Sequence, residues 1–453
     1  MLAQIDHEAT ENASEETRHF YNNKSLFRKN IFWYISGGSA GALGFNTAQG
    51  LMPMHMAKIG MDPEQISLAM SIRGWVYMVL VLYLSHLSDH LQCKWGRRIP
   101  FLAVSLPFLV LGMIFFPFMV TAFQCVALFA IFSIFVAVKY DTYSLLTYDI
   151  ARQSRWGMMA GLASLFGNVG ILVGQHYLMP LVDIHGEKYV YLLCAIYLLV
   201  ATLPTLLFLK EPPIRTAARA RWNPFPVILS TLAIGFREKR NAWLFIGFSL
   251  VTAPGLAFNY LAVQGQTNLH MTQGAVGIQL LQWGTLASMC MAPILGLVVD
   301  RIGAVRVVFI GYLLSFVSVY FGFNPHTVRD LTVATILLTV GFNAMYMAGI
   351  VFVAGGIERS YMAIICGCNG AISYLISSVF LVLSGVLIKR VFSGNYGAIF
   401  LISICLATLG MPLLFWLDRL RRNCHAQAIF IPSAVSPPSV PAVQEVTGED
   451  GMT

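Results

Sequence analysis

Ser88-Asp-His-Leu-Gln-Cys-Lys-Trp-Gly-Arg-Arg-Ile-Pro-Phe-Leu102 separates two long apolar runs, Ile66 to Leu87 and Pro100 to Val120. A polar stretch this short between two such runs reads as a loop joining two membrane-spanning helices. Lys94, Arg97 and Arg98 place three fixed positive charges in it, and short positive loops stay on the cytoplasmic side. Asp89 closes the preceding helix, and Gly96 permits a tight reversal before the next. A buried bilayer helix has no use for such a cluster, so the loop is expected to latch neighbouring helix ends together.

The rest of the chain has the composition this reading needs. Of 453 residues, 57% are hydrophobic and 11% charged, with a mean hydropathy of +0.69. Soluble proteins carry about a quarter charged residues, so this is an integral membrane protein. The net charge of +8 would point to nucleic acid in a soluble domain. Here the basic residues flank apolar segments, and topogenesis accounts for them without a nucleic-acid partner. Residues 1–30 are polar and partly acidic, with no apolar core near Met1 of the kind a secretory signal needs. They read as a cytoplasmic tail. The cysteines (93, 125, 194, 290, 366, 368, 405 and 424) fit no zinc or disulfide framework and read as small packing residues. No metal site or cofactor is expected.

A spanning helix needs about 20 mostly apolar residues. The sequence predicts twelve: 31–54, 65–87, 99–120, 123–149, 157–181, 189–209, 241–263, 273–299, 306–324, 329–353, 360–388 and 395–417. The expected fold is therefore all-α, two six-helix halves at 31–209 and 241–417. A cytoplasmic linker at 210–240 joins them, and a disordered tail covers 418–453. Residues 225–236 of the linker could form a short helix on the membrane surface. With both termini inside, only Lys58, Lys188, Arg329, Lys389 and Arg390 fall in outer loops, several times fewer than the basic residues on the inner side. That asymmetry sets the orientation. Lys389 and Arg390 run against it, which leaves outer gating or lipid contact as their roles.

Two loops recur in register in the second half. Gly296-Leu-Val-Val-Asp300-Arg301-Ile-Gly303-Ala-Val-Arg306 is a degenerate copy of the opening loop. Asp149-Ile-Ala-Arg152-Gln-Ser-Arg155-Trp-Gly157 recurs loosely as Glu358-Arg359-Ser360. Internal repeats of this kind mark transporters whose halves rock about a site near the midplane.

The loop Ser88-Asp89, Trp95-Gly96-Arg97-Arg98, Pro100-Phe101 resembles the signature loop of the major facilitator superfamily. In its longer spelling it is similar to the glycoside–pentoside–hexuronide:cation symporters and the sucrose:proton symporters. His90 stands where that family has Arg, and Ser85 where the superfamily has Gly. The resemblance implies an inner gate, with Arg97 or Arg98 pairing with Asp89 and Asp149 while the pore is open outward. Arg152 and the second-half residues Asp300, Arg301 and Glu358 complete it. The plainer alternative is that these charges only set topology.

Ionisable residues inside a span are costly and are functional suspects. Arg73 lies in the outer half of the second helix, Lys139 and Asp141 in the inner half of the fourth, and His176 in the fifth. Asp141 is the carboxylate placed clearly within hydrocarbon, where burial raises a carboxyl and a neighbouring cation lowers it. It is the candidate for proton coupling. The alternative is a fixed ion pair with Lys139 or Arg73, and Arg73 is the easier partner because residues two apart on a helix do not share a face. The expected substrate cavity draws on Asn46, Gln49, Tyr143, Gln175, His176, Asn259, Gln282, Trp283, Asn343, Tyr346 and Asn369. Each amide could instead be an interhelical hydrogen bond.

No phosphate loop, nucleophile–His–acid set or nucleotide-binding domain is legible, so enzymatic chemistry is not expected. The sequence points to a monomeric secondary transporter of the plasma membrane that imports a sugar or glycoside with a proton. The melibiose-type symporters carry paired acids in the second helix where this chain has Arg73, which favours a proton over sodium. The fifth helix lacks the Gly-Pro-x-x-Gly-Gly element of drug antiporters, which favours uptake. The same fold could instead carry a siderophore, a peptide-like metabolite or a drug in either direction. A non-transporting sensor would call for a sizeable extramembrane domain.

Overall fold

Hydrocarbon cannot hydrogen-bond a peptide group, so an apolar run this long closes its bonds within itself as a helix. The structure is a computed structural model that describes residues 20, 22–90, 95–151, 156–212, 223–354 and 362–423. Among these residues there are helices and no strands. The spanning helices, counted in order, begin with Lys24–Lys58, Pro63–His90 and Ile99–Phe115, the third followed by a 3₁₀ turn at Phe116–Phe118. The fourth is Ala122–Asp149. The fifth is Trp156–Val173, continuing through a π-turn at Gly174–Leu178, and the sixth is Glu187–Phe208. In the second half the seventh runs Lys239–Val251 and then Phe258–Asn268. The eighth is Gln273–Ala275 and Gln282–Ile302 around a π-turn at Val276–Leu281. Ala304–Gly322, Val328–Ala354, Met362–Arg390 and Ala398–Asn423 complete the set.

Nine of these are long and apolar enough to cross a membrane, or ten if the bent pair in the seventh counts as one span. The first and eighth fall outside that count. They carry Asn46, Thr47 and Gln49, and Gln273, Gln279 and Gln282, which lower their hydropathy. The seventh, expected as one helix, is bent by 45°. Pro254 sits at the bend, in a 3₁₀ turn at Ala253–Ala257, where a residue without an N–H breaks the ladder. Elsewhere local chemistry marks the ends. Thr121 and Gln124 form a reciprocal capping box on the fourth helix, and Asn23 caps the first by accepting from Leu26 N at 3.0 Å.

We call the end that carries Arg97 and Arg98 the inner end, following the charge count. In the first half, helix one packs on five and six, and four on two and three. In the second, nine packs on ten, seven on twelve and eight on ten. The halves meet where two packs along eleven, five on eight and one on seven. The linker segment Pro224–Gly235 is a helix set against both two and eleven.

The apolar core has an asymmetric plan. Toward the outer end a single cluster runs through both halves, from Leu51, Met54 and Phe116 to Leu261, Leu331 and Phe400. Toward the inner end it divides. One cluster gathers Tyr34, Leu102, Leu146 and Leu209 of the first half. Another gathers Phe245, Val299, Met345 and Leu414 of the second, reached from the first half by Leu82.

The repeated loops agree in their backbone. Gly96 has φ +110° and Gly303 φ +89°, a region that side chains with a Cβ avoid. A Cβ on Gly303 would meet nothing within 4 Å, so its constraint is backbone strain alone. Gly303→Ala is therefore expected to lower the melting temperature of the purified protein, at a cost of about 1–3 kcal/mol. Gly370, inside helix eleven and also in open space, is the control. Gly370→Ala should leave melting unchanged or raise it.

Candidate functional site

The third helix starts with a deficit. Pro100 has no N–H, and Arg98 at the N-cap position makes no side-chain cap, so the preceding amides need another acceptor. Glu211, from the linker end of helix six, supplies it. Its carboxylate accepts from Arg97 N at 2.8 Å, Arg98 N at 2.9 Å and Ile99 N at 2.8 Å. Gly96 leaves room for it, since a Cβ there would stand 2.6 Å from the Glu211 carboxyl carbon. Next to it, Asn30 and Lys210 exchange two hydrogen bonds, of 2.8 Å and 3.1 Å, that tie helix one to the same segment. Burial pushes the Glu211 carboxyl above the usual carboxylate range, with the three amide bonds pulling the other way. The folded chain holds that proton more tightly than the unfolded chain. This group's contribution to stability therefore declines as pH rises through its folded value.

Asp149, at the end of helix four, takes both arginines of the loop. Arg97 Nε donates to it at 3.2 Å, Arg97 also pairs through its second nitrogen, and Arg98 Nε donates at 2.9 Å. Arg98 and Asp149 are both buried. These contacts join the first half to the linker end that follows it, and they weld helices three, four and six together at the inner end. Sequence reasoning anticipated the arginines and Asp149 and passed over Glu211, whose signal was the break from apolar helix to Lys210-Glu-Pro-Pro.

The polar contacts described between the halves lie in the outer half of the bundle. Lys389 of helix eleven pairs with Asp62 at 2.7 Å and Glu64 at 3.6 Å, which accounts for a positive charge on the outer side. Asp183 accepts from Thr272 at 2.6 Å and from Gly274 N at 3.3 Å. Glu187 pairs with His55 at 2.7 Å and Lys58 at 2.9 Å, and accepts from Gln273 at 2.9 Å. Deeper in, Ser67 bonds Tyr260 and Ser378 donates to Ser71 O at 3.1 Å. Gln175 accepts from Thr285 at 2.8 Å, and His176 meets Gln282 at 2.9 Å. These last two contacts sit where the π-turns of helices five and eight pack together, and π-turns recur at functional positions.

Below this layer Arg73 of helix two points between the halves. Its guanidinium stands 5.7 Å from the Tyr77 ring centroid. Tyr140 of helix four and Tyr374 of helix eleven are close enough to interact with its charge. Tyr77 packs on Tyr374 across the interface at 4.8 Å and donates to Val136 O at 3.3 Å. Asn46 lies beside the Tyr140 hydroxyl. Tyr140 and Tyr374 each keep 38% of their surface accessible beside a half-buried arginine, so they line a hollow rather than packed core. Lys139 is 9% exposed and rests over the Phe45 ring at 5.3 Å. Tyr140 meets the same ring edge-on.

The remaining expected cavity residues divide by partner. Tyr143 bonds Tyr34 O and stacks on Tyr34 at 4.5 Å, tying helix four to helix one. Asn343 donates to Ser288 at 2.8 Å within the second half, and Asn259 to Leu256 O at 3.1 Å within its own helix. Asn369 is buried, with no partner for its Oδ1 among the described residues. Gln49 is half-buried. Trp283 and Tyr346 are exposed, the latter stacked on Phe342 at 5.7 Å. Arg301 is exposed at the inner end of helix eight. The side chains of Asp89, Asp141 and Asp300, and Arg152 and Glu358 altogether, lie outside the described residues.

The family model described as Major Facilitator Superfamily matches residues 34–291. The chain belongs to that superfamily. It is a membrane transporter by family, and not an enzyme. No curated protein matches it by sequence. Its fold is similar to that of the nucleoside transporter NupG (14% identity, TM-score 0.64, 88% of this chain and 99% of that one). It is also similar to a POT family transporter solved with a thioalcohol-conjugated peptide (13% identity, TM-score 0.66, 87% and 96%). A third is a bacterial homolog of the human lysosomal transporter Spinster, solved inward-facing and occupied (10% identity, TM-score 0.64, 88% and 97%).

Within this superfamily member the Glu211 cap is testable apart from transport. Glu211→Ala should strand the amides of Arg97, Arg98 and Ile99, cost about 1–2 kcal/mol of stability or more, and so lower the apparent melting temperature in detergent. Glu211→Gln keeps one acceptor oxygen and should cost less.

Proposed function

We propose that the chain is a secondary active transporter of the plasma membrane, working as a monomer, that imports a small polar solute with a proton by alternating access. The reading favoured by the Trp95-Gly96-Arg97-Arg98 loop is a sugar or glycoside. The observation that carries the proposal is the tyrosine- and arginine-lined hollow between the halves, roofed by polar contacts on the outer side. A solute entering it meets hydroxyls, amides and aromatic faces from both halves, as polyol recognition requires.

In this reading the structure is closed outward. The shared outer core and the separate inner cores fit halves that hinge at the outer side. The welded cluster of Arg97, Arg98, Asp149 and Glu211 keeps the first half rigid as it moves, and Lys389–Asp62 breaks when the outer side opens. Asp141 stays the candidate for proton coupling on the strength of its place in helix four.

Two experiments test this. Adding candidate sugars to lightly buffered cells that express the protein should alkalinise the medium for the transported compound, and Asp141→Asn should abolish the response. Unchanged pH together with unchanged uptake of labelled sugars would end the sugar-symport reading. For alternating access, Asp62→Cys combined with Lys389→Cys should crosslink under oxidant and block transport, with activity returning on reduction. Undiminished transport by the crosslinked protein would exclude outer opening at this contact.

A further inference from the structure

Among the described residues the charged side chains at the hollow are cations. Arg73 and Lys139 both reach into the middle of the bundle, and among the described residues no carboxylate lies within ion-pair distance of either. Each has aromatic company instead, Tyr77 for the arginine and Phe45 for the lysine. For Lys139, which is buried, a cation–π contact of about 1–2 kcal/mol offsets only part of the several kcal/mol that it costs to bring a full charge away from water. The half-buried Arg73 bears a share of the same cost. Elsewhere among the described residues buried charges are paired: Asp149 holds two arginines, and Glu187 holds His55, Lys58 and Gln273. The mid-membrane cations are the exception.

The geometry around Arg73 is that of a site awaiting an anion. Tyr77 holds the guanidinium from one side, its own hydroxyl proton directed at Val136 O. Tyr140 and Tyr374 approach from helices four and eleven, one in each half, with accessible surface to offer. A planar fork of N–H donors, with two tyrosines close enough to interact with its charge, matches a carboxylate or phosphate, since guanidinium presents paired donors to paired oxygens. The exposed ring faces beside it suit an apolar or sugar-ring body attached to that group. Lys139, at the far side of Phe45, adds to the positive potential without closing on the same point.

We propose that the cargo carries an anionic group, a carboxylate or a phosphate on a small organic body, bound between Arg73 and the hydroxyls of Tyr140 and Tyr374. Because those hydroxyls come from opposite halves, the anion ties the halves together when it binds and the site comes apart as they rock. This rests on the transport reading above and narrows it: a neutral sugar leaves Arg73 unanswered, whereas an acidic or phosphorylated one satisfies it.

The test uses the full chain purified in detergent, with two matched pairs of probes: benzoate beside benzyl alcohol, and glucose 6-phosphate beside glucose. Thermal stabilisation titrated with each probe gives its affinity. At least one anion should bind, and bind at least about tenfold more tightly than its neutral partner. A preference for benzoate or for glucose 6-phosphate identifies carboxylate or phosphate as the group. Arg73→Gln should abolish that tenfold preference, Arg73→Lys should keep part of it, and Tyr374→Phe should weaken the anion severalfold. Each variant is first shown to elute as wild type on size exclusion. Equal binding within both pairs, no binding by either anion, or an undiminished preference in Arg73→Gln would overturn the proposal. Counterflow in proteoliposomes separates this from the transport reading. Anion binding without exchange would refute transport and leave the site standing. Exchange of a neutral solute, unaffected by Arg73→Gln, would refute the anionic cargo and leave transport standing.

Discussion

Hydrocarbon offers a polar group no partner, and every part of this molecule answers to that constraint. Backbone amides close on themselves in helices. Where a helix begins without a cap, as the third does at Pro100, a carboxylate is brought from another helix to receive the stranded amides. Where charges are buried, they are gathered around one opposite charge, as at Asp149 and Glu187. Against that background the placement of Arg73 and Lys139 among aromatic rings is meaningful, because the other buried charges among the described residues are paired.

The polar contacts are arranged differently at the two ends of the bundle. On the inner side Arg98 and Asp149 are buried together within the first half, and removing one leaves the other's charge less fully answered, at a cost of up to about 3–5 kcal/mol. On the outer side the ion pair that joins the two halves, Lys389–Asp62, is partly exposed. Lys389 and Asp62 keep 43% and 52% of their side-chain surface in contact with solvent, and exposed pairs of this kind contribute about 0–1 kcal/mol. Strong ties within a half and weak ties between halves are what a rocking mechanism requires. A half has to move as one body, and the closure between halves has to be reversible.

Much of the fold was legible in the chain. The helices fall close to the expected spans because length and apolarity alone decide them. The repeat between the opening loop and Gly296–Arg306 reappears as two glycines with positive φ. The bend in helix seven went unread, although Pro254 was there to signal it. At the inner loop, the pairing of Arg97 and Arg98 with Asp149 is what the family resemblance implied. Glu211 was passed over, because the Lys210-Glu-Pro-Pro break that marks it does not show which amides its carboxylate will meet. The expected cavity residues were harder still. Tyr143 and Asn343 face neighbours within their own halves, while Tyr140, Tyr77 and Tyr374 surround Arg73.

By itself the sequence determined that this chain spans a membrane many times, in two related halves, with its basic loops on one side. Those properties depend on composition along the chain, and composition is local. The tertiary structure alone decided which charges meet. Lys389 finds Asp62 across more than three hundred residues, and Glu211 finds the start of helix three. Arg73 finds three tyrosines and no carboxylate among the described residues. Pairing depends on which helix faces turn toward one another. The low-dielectric interior makes every such meeting, or its absence, count for far more than the same residues would in water.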